Sequence, residues 1–156
     1  MAILETHHLS RRYGSLVALD DLNLKVEAGE CFGFIGPNGA GKTTTIKILA
    51  TLLKPSSGEA RVCGFTVGWQ NTHIRPLIGY VPDFLGAYDD MLVREYLQFF
   101  ASCYGITGSR RTQVVDDALS LTDLGGKAEA PISGLSRGMS QRLAVARVLL
   151  HDPEVL

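Results

Sequence analysis

The stretch GPNGAGKT, Gly36 to Thr43, carries glycine, four variable positions and then Gly-Lys-Thr, the spacing of a phosphate-binding loop. A chain that contains it is restricted to folds in which a strand runs through a tight glycine loop into a helix. The flanks agree, since ECFGFIG at 30 to 36 reads as a short apolar strand, and Ile46, Leu49, Ala50 and Leu53 recur at helical spacing before Pro55. Gly36, Gly39 and Gly41 permit backbone angles that a side chain obstructs, so successive N–H groups can turn inward around an anion. Lys42 is placed to set an ammonium between terminal phosphates, and Thr43 to offer Mg²⁺ a hydroxyl. The helix beginning near Gly41 points its positive end at the same place. With glycine at about 7% of residues, a chance match to every fixed position is on the order of one per cent or less. The candidate loop set is therefore Gly36, Pro37, Asn38, Gly39, Ala40, Gly41, Lys42, Thr43 and Thr44.

The rest of the chain is ordered by period and punctuation. Residues 2 to 8 and 22 to 27 alternate as strands of an antiparallel sheet, broken by Gly14-Ser15. GEARVCG at 58 to 64 and LIGYVP at 77 to 82 read as further strands, the latter buried. Val93, Tyr96, Leu97 and Phe100 predict a helix that Gly105 stops, and Val114, Ala118 and Leu121 predict a second before Gly125-Gly126. A final helix carries Met139, Leu143, Ala146 and Leu150 on one side and ends at Asp152-Pro153.

Composition limits the function classes. The longest apolar run, Ile46 to Leu53, is interrupted by Lys47 and Thr51, well short of the roughly 18 residues of a membrane span. The first residues lack the layout of an export signal, so action in the cytoplasm is expected. A formal charge of -1 gives no general attraction to nucleic acid. Arg11 with Arg12, and Arg110 with Arg111, read as solvated surface pairs. Cys31, Cys63 and Cys103 lack pair spacing and read as reduced core or near-core residues. His7, His8, His73 and His151 share no metal spacing and read as non-catalytic.

A second motif narrows the class. LSRGMSQR, Leu135 to Arg142, with GAGKTTTIKIL and YDDMLVREYL, resembles the ATP-binding cassette (ABC) family, the nucleotide-binding domains that drive ABC transporters. The branch it is most similar to powers ABC-2 type exporters. Leu135, Ser136, Arg137, Gly138 and Met139 align with the signature usually written L-S-G-G-Q, with Arg137 and Met139 standing where glycine and glutamine are usual. The resemblance implies that Ser136 and the Gly138 backbone contact the terminal phosphate of an ATP held by a second subunit. A hydroxyl and a bare backbone at a helix N-terminus suit an anion on physical grounds too. The separation of the two half-sites along the chain favours a head-to-tail sandwich of two such domains over self-closure.

By the same resemblance, Tyr13 in RRYGSLVAL stacks on adenine, and IGYVPD at 78 to 83 corresponds to the Q-loop, with Asp83 in place of glutamine as a charged ligand for Mg²⁺ beside Thr43. The implied fold is α/β, a P-loop NTPase (RecA-like) core with an N-terminal antiparallel β subdomain and a helical subdomain. The β subdomain and phosphate-loop core take 1–83, the helical subdomain and signature helix 84–150, and 154–156 begins the Walker B strand. ATP and Mg²⁺ are the implied ligands. The implied partners are a second ATP-binding subunit and ABC-2 type membrane permease subunits, with no nucleic acid. The protein then sits peripherally on the cytoplasmic face of the membrane. Tyr88, Met91 and Leu92, in the loop after Asp83, are candidates for the coupling surface.

In the family, the signature helix leads into a buried strand ending in Asp-Glu, with the Glu polarising the attacking water. Leu156 precedes that position, so no catalytic residue is assigned, the later core strands are not represented, and a polypeptide of these 156 residues is expected to be poorly soluble or partly unfolded and not to turn over ATP. Two other functions are compatible with the sequence: a soluble ABC-type ATPase acting on nucleic acid or ribosomes, and a nucleotide-binding remnant without hydrolysis.

Overall fold

The alternating segments at the start of the chain form a long antiparallel hairpin, β1 (Ala2–Tyr13) and β2 (Leu16–Glu27), joined at Gly14-Ser15 with Gly14 at φ 58°. The computed structural model describes residues 2–83, 86 and 90–156. They fall into two compact units, one reaching from the N-terminus to Ile78 and including Val155, the other comprising Gly79 to Glu154 and Leu156.

In the first unit β1 and β2 run well past the predicted 2–8 and 22–27. The register shifts between Thr6 and Leu9, Leu9 and Arg11, and Arg11 and Arg12. Each bulge flips the in-out alternation while pairing continues beyond it, so a period of two stops being readable before the strand stops. His8 and Asp21 both take φ 50° at these irregularities. Side chains satisfy the backbone there: His8 N donates to Asn23 Oδ1 at 2.9 Å and Asp21 N to Ser10 Oγ at 2.9 Å.

Strand β3 (Ser57–Val62) pairs with β1, Leu4 opposite Val62 and Thr6 opposite Ala60. A tight turn at Cys63-Gly64, φ 50° and 80°, leads into β4 (Phe65–Thr66), which was too short to leave a periodic signal. The sheet order is β2-β1-β3-β4. Leu9, Leu19, Ala60 and Val62 of this sheet pack with Ile48 and Leu49 of α1 (Lys42–Leu49), with Val67, and with Ile74 of α2 (Asn71–Ile74).

Three expectations for this unit need correction. Residues 30–36 are not a strand: no described strand lies beside them to complete a ladder, and Ile35 is 98% exposed. LIGYVP is not one either, but Ile78 makes a single parallel bridge with Val155, whose N–H reaches Leu77 O at 3.1 Å. Helix α1 ends at Leu49, and Thr51 turns left-handed at φ 62°, so Leu53 never joins its face. The buried residues are Thr45, Ile48 and Leu49, while Ile46 is 40% exposed.

The second unit is helical. Helices α3 (Val93–Cys103), α4 (Gly108–Leu121) and α5 (Arg137–Leu149) bury Val93, Tyr96, Leu97, Ala101, Val115, Ala118, Leu119, Leu143 and Ala146 in one core. Faces of α3 and α5 follow the predicted periods. The α4 face is turned by one residue, with Val115, Ala118 and Leu119 inside and Leu121 77% exposed. Glu95 accepts from Leu92 N at 3.0 Å at the start of α3, and Gly105, φ 76°, follows its end. Arg147 Nη1 donates to Tyr96 Oη at 3.3 Å across the core, where burial pushes the phenol pKa up despite the nearby guanidinium. The cysteine expectation fails for Cys31 and Cys103, which are exposed, one in the unpaired 30–37 segment and one in the last position of α3. No described helix is long and apolar enough to cross a membrane.

Candidate functional site

The glycine loop lies in the first unit between an unpaired segment and α1. Gly39 and Gly41 take φ 86° and 83°, the left-handed region in which a side chain is strained. Gly41 is doubly constrained, because a Cβ there would come within 2.7 Å of Ala18 O and 3.2 Å of Leu19 Cδ1. Ala18 is the residue that the Arg11/Arg12 register shift leaves over in β2, so the hairpin's irregularity sets a carbonyl against the loop's last glycine. Ala40 N closes a turn onto Pro37 O at 3.3 Å. Gly36, Pro37, Asn38 and Ala40 are exposed around it.

The Lys42 ammonium folds back onto the loop, donating to Gly36 O and Pro37 O at 2.7 Å each. It is thereby held at the loop rather than extended into solvent. The first turn of α1 contains no acidic residue to compete for its N–H groups. Of the three threonines, Thr45 spends its hydroxyl on Gly41 O at 3.0 Å in a buried bond. The exposed Thr43 hydroxyl makes no hydrogen bond among the described residues, and Thr44 is half-buried. The Thr44 hydroxyl is likewise without a hydrogen bond among the described residues, and of the two the exposed Thr43 oxygen beside the anion nest fits Mg²⁺, which takes few protein ligands and leaves other positions to phosphate and water.

Tyr13 stands at the end of β1 opposite Leu16, two positions along β2 from Ala18 and so about 7 Å along the strand from the residue that touches Gly41. Tyr13 is 47% exposed. The Arg11 guanidinium lies over one face of the tyrosine ring at 4.5 Å from the centroid, and Arg11 Nη1 donates to Lys54 O at 3.0 Å. The reading of Arg11 as a solvated surface residue is therefore corrected. Positions i and i+2 of a strand share a face, and β1 reaches Arg11 and Tyr13 only through its register shifts, beyond the alternation legible at 2 to 8.

In the second unit Ser136 is the N-cap of α5, its Oγ accepting from Met139 N at 3.3 Å and its carbonyl from Ser140 N at 2.9 Å. Its hydroxyl proton remains able to donate outward. Leu135 and Met139 are half-buried against the helical core and anchor the turn, whereas Arg137 and Gly138 are exposed. A Cβ on Gly138 would meet nothing within 4 Å, so packing within the unit does not demand glycine there. Asp83 is exposed at a bend in the second unit, and Thr43 belongs to the first. Of the coupling candidates, Tyr88 lies outside the described residues, Met91 packs on the helical core, and Leu92 bridges to Pro131.

Comparison with known proteins agrees with this architecture. The family model described as ABC transporter matches residues 19–156. A Nod factor export ATP-binding protein I from Burkholderia pseudomallei (strain K96243) is 40% identical over 156 residues, all of this chain and 51% of the relative. The chain thus spans about half the length of the curated relatives it matches. Among solved structures, cbiO1 from Clostridium perfringens, described as part of the ABC transporter complex cbiONQ, superposes with TM-score 0.87 at 27% identity, covering 97% of this chain and 62% of that one. A dimeric ATP-binding cassette in a post-hydrolysis state, bound to ADP and Pi, gives TM-score 0.84 at 25% identity, with 96% and 70% covered. On its glycine loop, its signature-like helix start and this match over most of its length, the chain belongs to the ABC transporter family.

Proposed function

We propose that this protein is the ATP-binding subunit of an exporter, in which two copies close head to tail on two ATP molecules and pass that closure to separate ABC-2 type membrane subunits. The observation that carries the reading is the loop of the first unit: Gly39 and Gly41 held left-handed, Lys42 poised on two loop carbonyls, and the open N-terminal turn of α1. Its backbone N–H groups, from Asn38 to Thr44, bind the phosphates. Lys42 exchanges its carbonyl partners for terminal phosphate oxygens, a charge-assisted contact stronger than those it gives up. Tyr13 receives the adenine. Thr43 would offer Mg²⁺ its hydroxyl, and the ion, when bound with ATP, would neutralise phosphate charge.

Leu135 and Met139 fix the turn that presents Ser136 Oγ and the N–H groups of Arg137 and Gly138 to the ATP of the second copy. Hydrolysis, export and the cytoplasmic, membrane-peripheral location belong to the whole protein. A relative named for export and a neighbour named as part of a transporter complex support them.

Gly138→Ala tests the composite site. Glycine in an exposed helical turn costs up to about 1 kcal/mol against alanine, so the variant is expected to be as stable as the parent or slightly more so. If a partner's phosphate approaches this backbone, the added methyl obstructs it, and ATP-dependent dimerisation, followed by gel filtration of the full chain, falls by about tenfold or more. A variant that dimerises normally with ATP would remove the signature assignment. The nucleotide assignment is tested separately: at 100 times Kd, MgATP is expected to stabilise the full chain by about 2.7 kcal/mol, read as a raised melting temperature. No rise at millimolar MgATP would overturn it.

A further inference from the structure

We propose that Arg11 is a positioning residue for the nucleotide base: it backs one face of the Tyr13 ring and leaves the opposite face as the platform for a purine. The inference rests on the proposed role of Tyr13 and adds a residue that the loop and signature motifs do not contain.

Three observations carry it. The guanidinium sits over the ring at 4.5 Å, within cation–π range, so one face is already covered, while the residue as a whole stays 47% exposed. Arg11 is itself fixed, because Nη1 donates to Lys54 O at 3.0 Å, while Nε is enclosed by protein and makes no hydrogen bond. A guanidinium whose Nε forgoes a partner is placed by the ring and the carbonyl. Third, its anchor lies on the segment that follows α1. That segment is tied again to β1, by Ser56 Oγ accepting from Arg12 N at 3.0 Å and by Ser56 N donating to Ser10 O at 2.9 Å. The phosphate loop, α1, Lys54, Arg11 and Tyr13 form one connected frame within the first unit. A cation on one face also draws π-density toward itself, so the far face is electron-poor and stacks better on an electron-rich purine.

The test compares a ligand with a base to one without. In the full chain, Arg11→Gln is expected to weaken ATP binding about 3-fold to 10-fold while leaving inorganic tripolyphosphate binding unchanged, with Arg11→Lys falling between. The urea midpoint of each variant checks that the fold is retained. Equal losses for ATP and tripolyphosphate would make Arg11 a general attractor of anions and overturn the proposal, as would no loss for either. Tyr13→Ala separates this from the underlying reading. If it weakens ATP selectively and Arg11→Gln does not, the Arg11 inference alone fails. If Tyr13→Ala leaves ATP and tripolyphosphate binding as in the parent, the adenine platform itself fails.

Discussion

Gly58→Ala is expected to cost about 4 kcal/mol or more, a large share of total stabilities of about 5–15 kcal/mol. Gly58 sits in β3 at φ 79° where the β1 register shifts between His7 and Ser10. A Cβ added there would collide with the His8 carbonyl oxygen and come within 2.5 Å of its carbon and 2.7 Å of His7 O. These atoms belong to backbone in the centre of the sheet, so no side chain can swing away. His8 is itself held left-handed by hydrogen bonds to Asn23 and Asp21. Gly64→Ala separates the two causes of the penalty. Gly64 also has positive φ, 80°, but nothing lies within 4 Å of its would-be Cβ. It should therefore show only the backbone term, about 1–2 kcal/mol. Urea midpoints at unchanged slope measure both. Equal losses at the two sites would mean that the His7–His8 backbone does not approach Gly58 closely.

Gly58 also illustrates what the sequence could and could not disclose. GPNGAGKT was legible because each of its residues answers to one local ligand, and the amphipathic faces of α3 and α5 because their period survives along the whole element. The β1–β2 hairpin was legible only at its far end. Its bulges reverse the alternation, and a bulge follows from pairing between distant residues, not from a local propensity. Residues 30–36 show the converse. Their composition is that of a buried strand, but a strand exists only with a neighbour, and none is present among the described residues. At the candidate site, the spacing of the glycine loop points to Lys42 and Thr43, and the resemblance of LSRGMSQR to the ABC signature implies Ser136. Arg11 was passed over because a pair of arginines suggests solvent, and only the strand pairing places one of them across an aromatic ring. Likewise Thr43 and Thr45 are indistinguishable as letters, and the Thr45 bond to Gly41 O separates the structural hydroxyl from the available one.

Lys42→Ala is expected to lower ATP affinity by about 100-fold or more, the largest effect of any single substitution on ligand binding here. The ammonium donates two bonds of 2.7 Å to Gly36 O and Pro37 O, so its position at the loop is set before a ligand arrives. Hydrogen bonds to charged groups contribute about 1.5–3 kcal/mol each, and two directed at terminal phosphates correspond to between two and four powers of ten in affinity. Removing it leaves Gly39 and Gly41 free to keep their angles, so the nest persists without its cation. The unliganded protein should lose little, about 1 kcal/mol, since both orphaned carbonyls belong to exposed residues that water can reach. Lys42→Arg retains the charge but brings a planar fork in place of a compact ammonium, and it should recover only part of the affinity. Titration of the full chain with MgATP at fixed ionic strength measures all three, because screening alone shifts such contacts. Parent-like ATP binding by Lys42→Ala would remove the phosphate assignment from this loop. Parallel loss of ATP binding and of the urea midpoint would instead make Lys42 a structural clamp whose two carbonyl bonds hold the loop together.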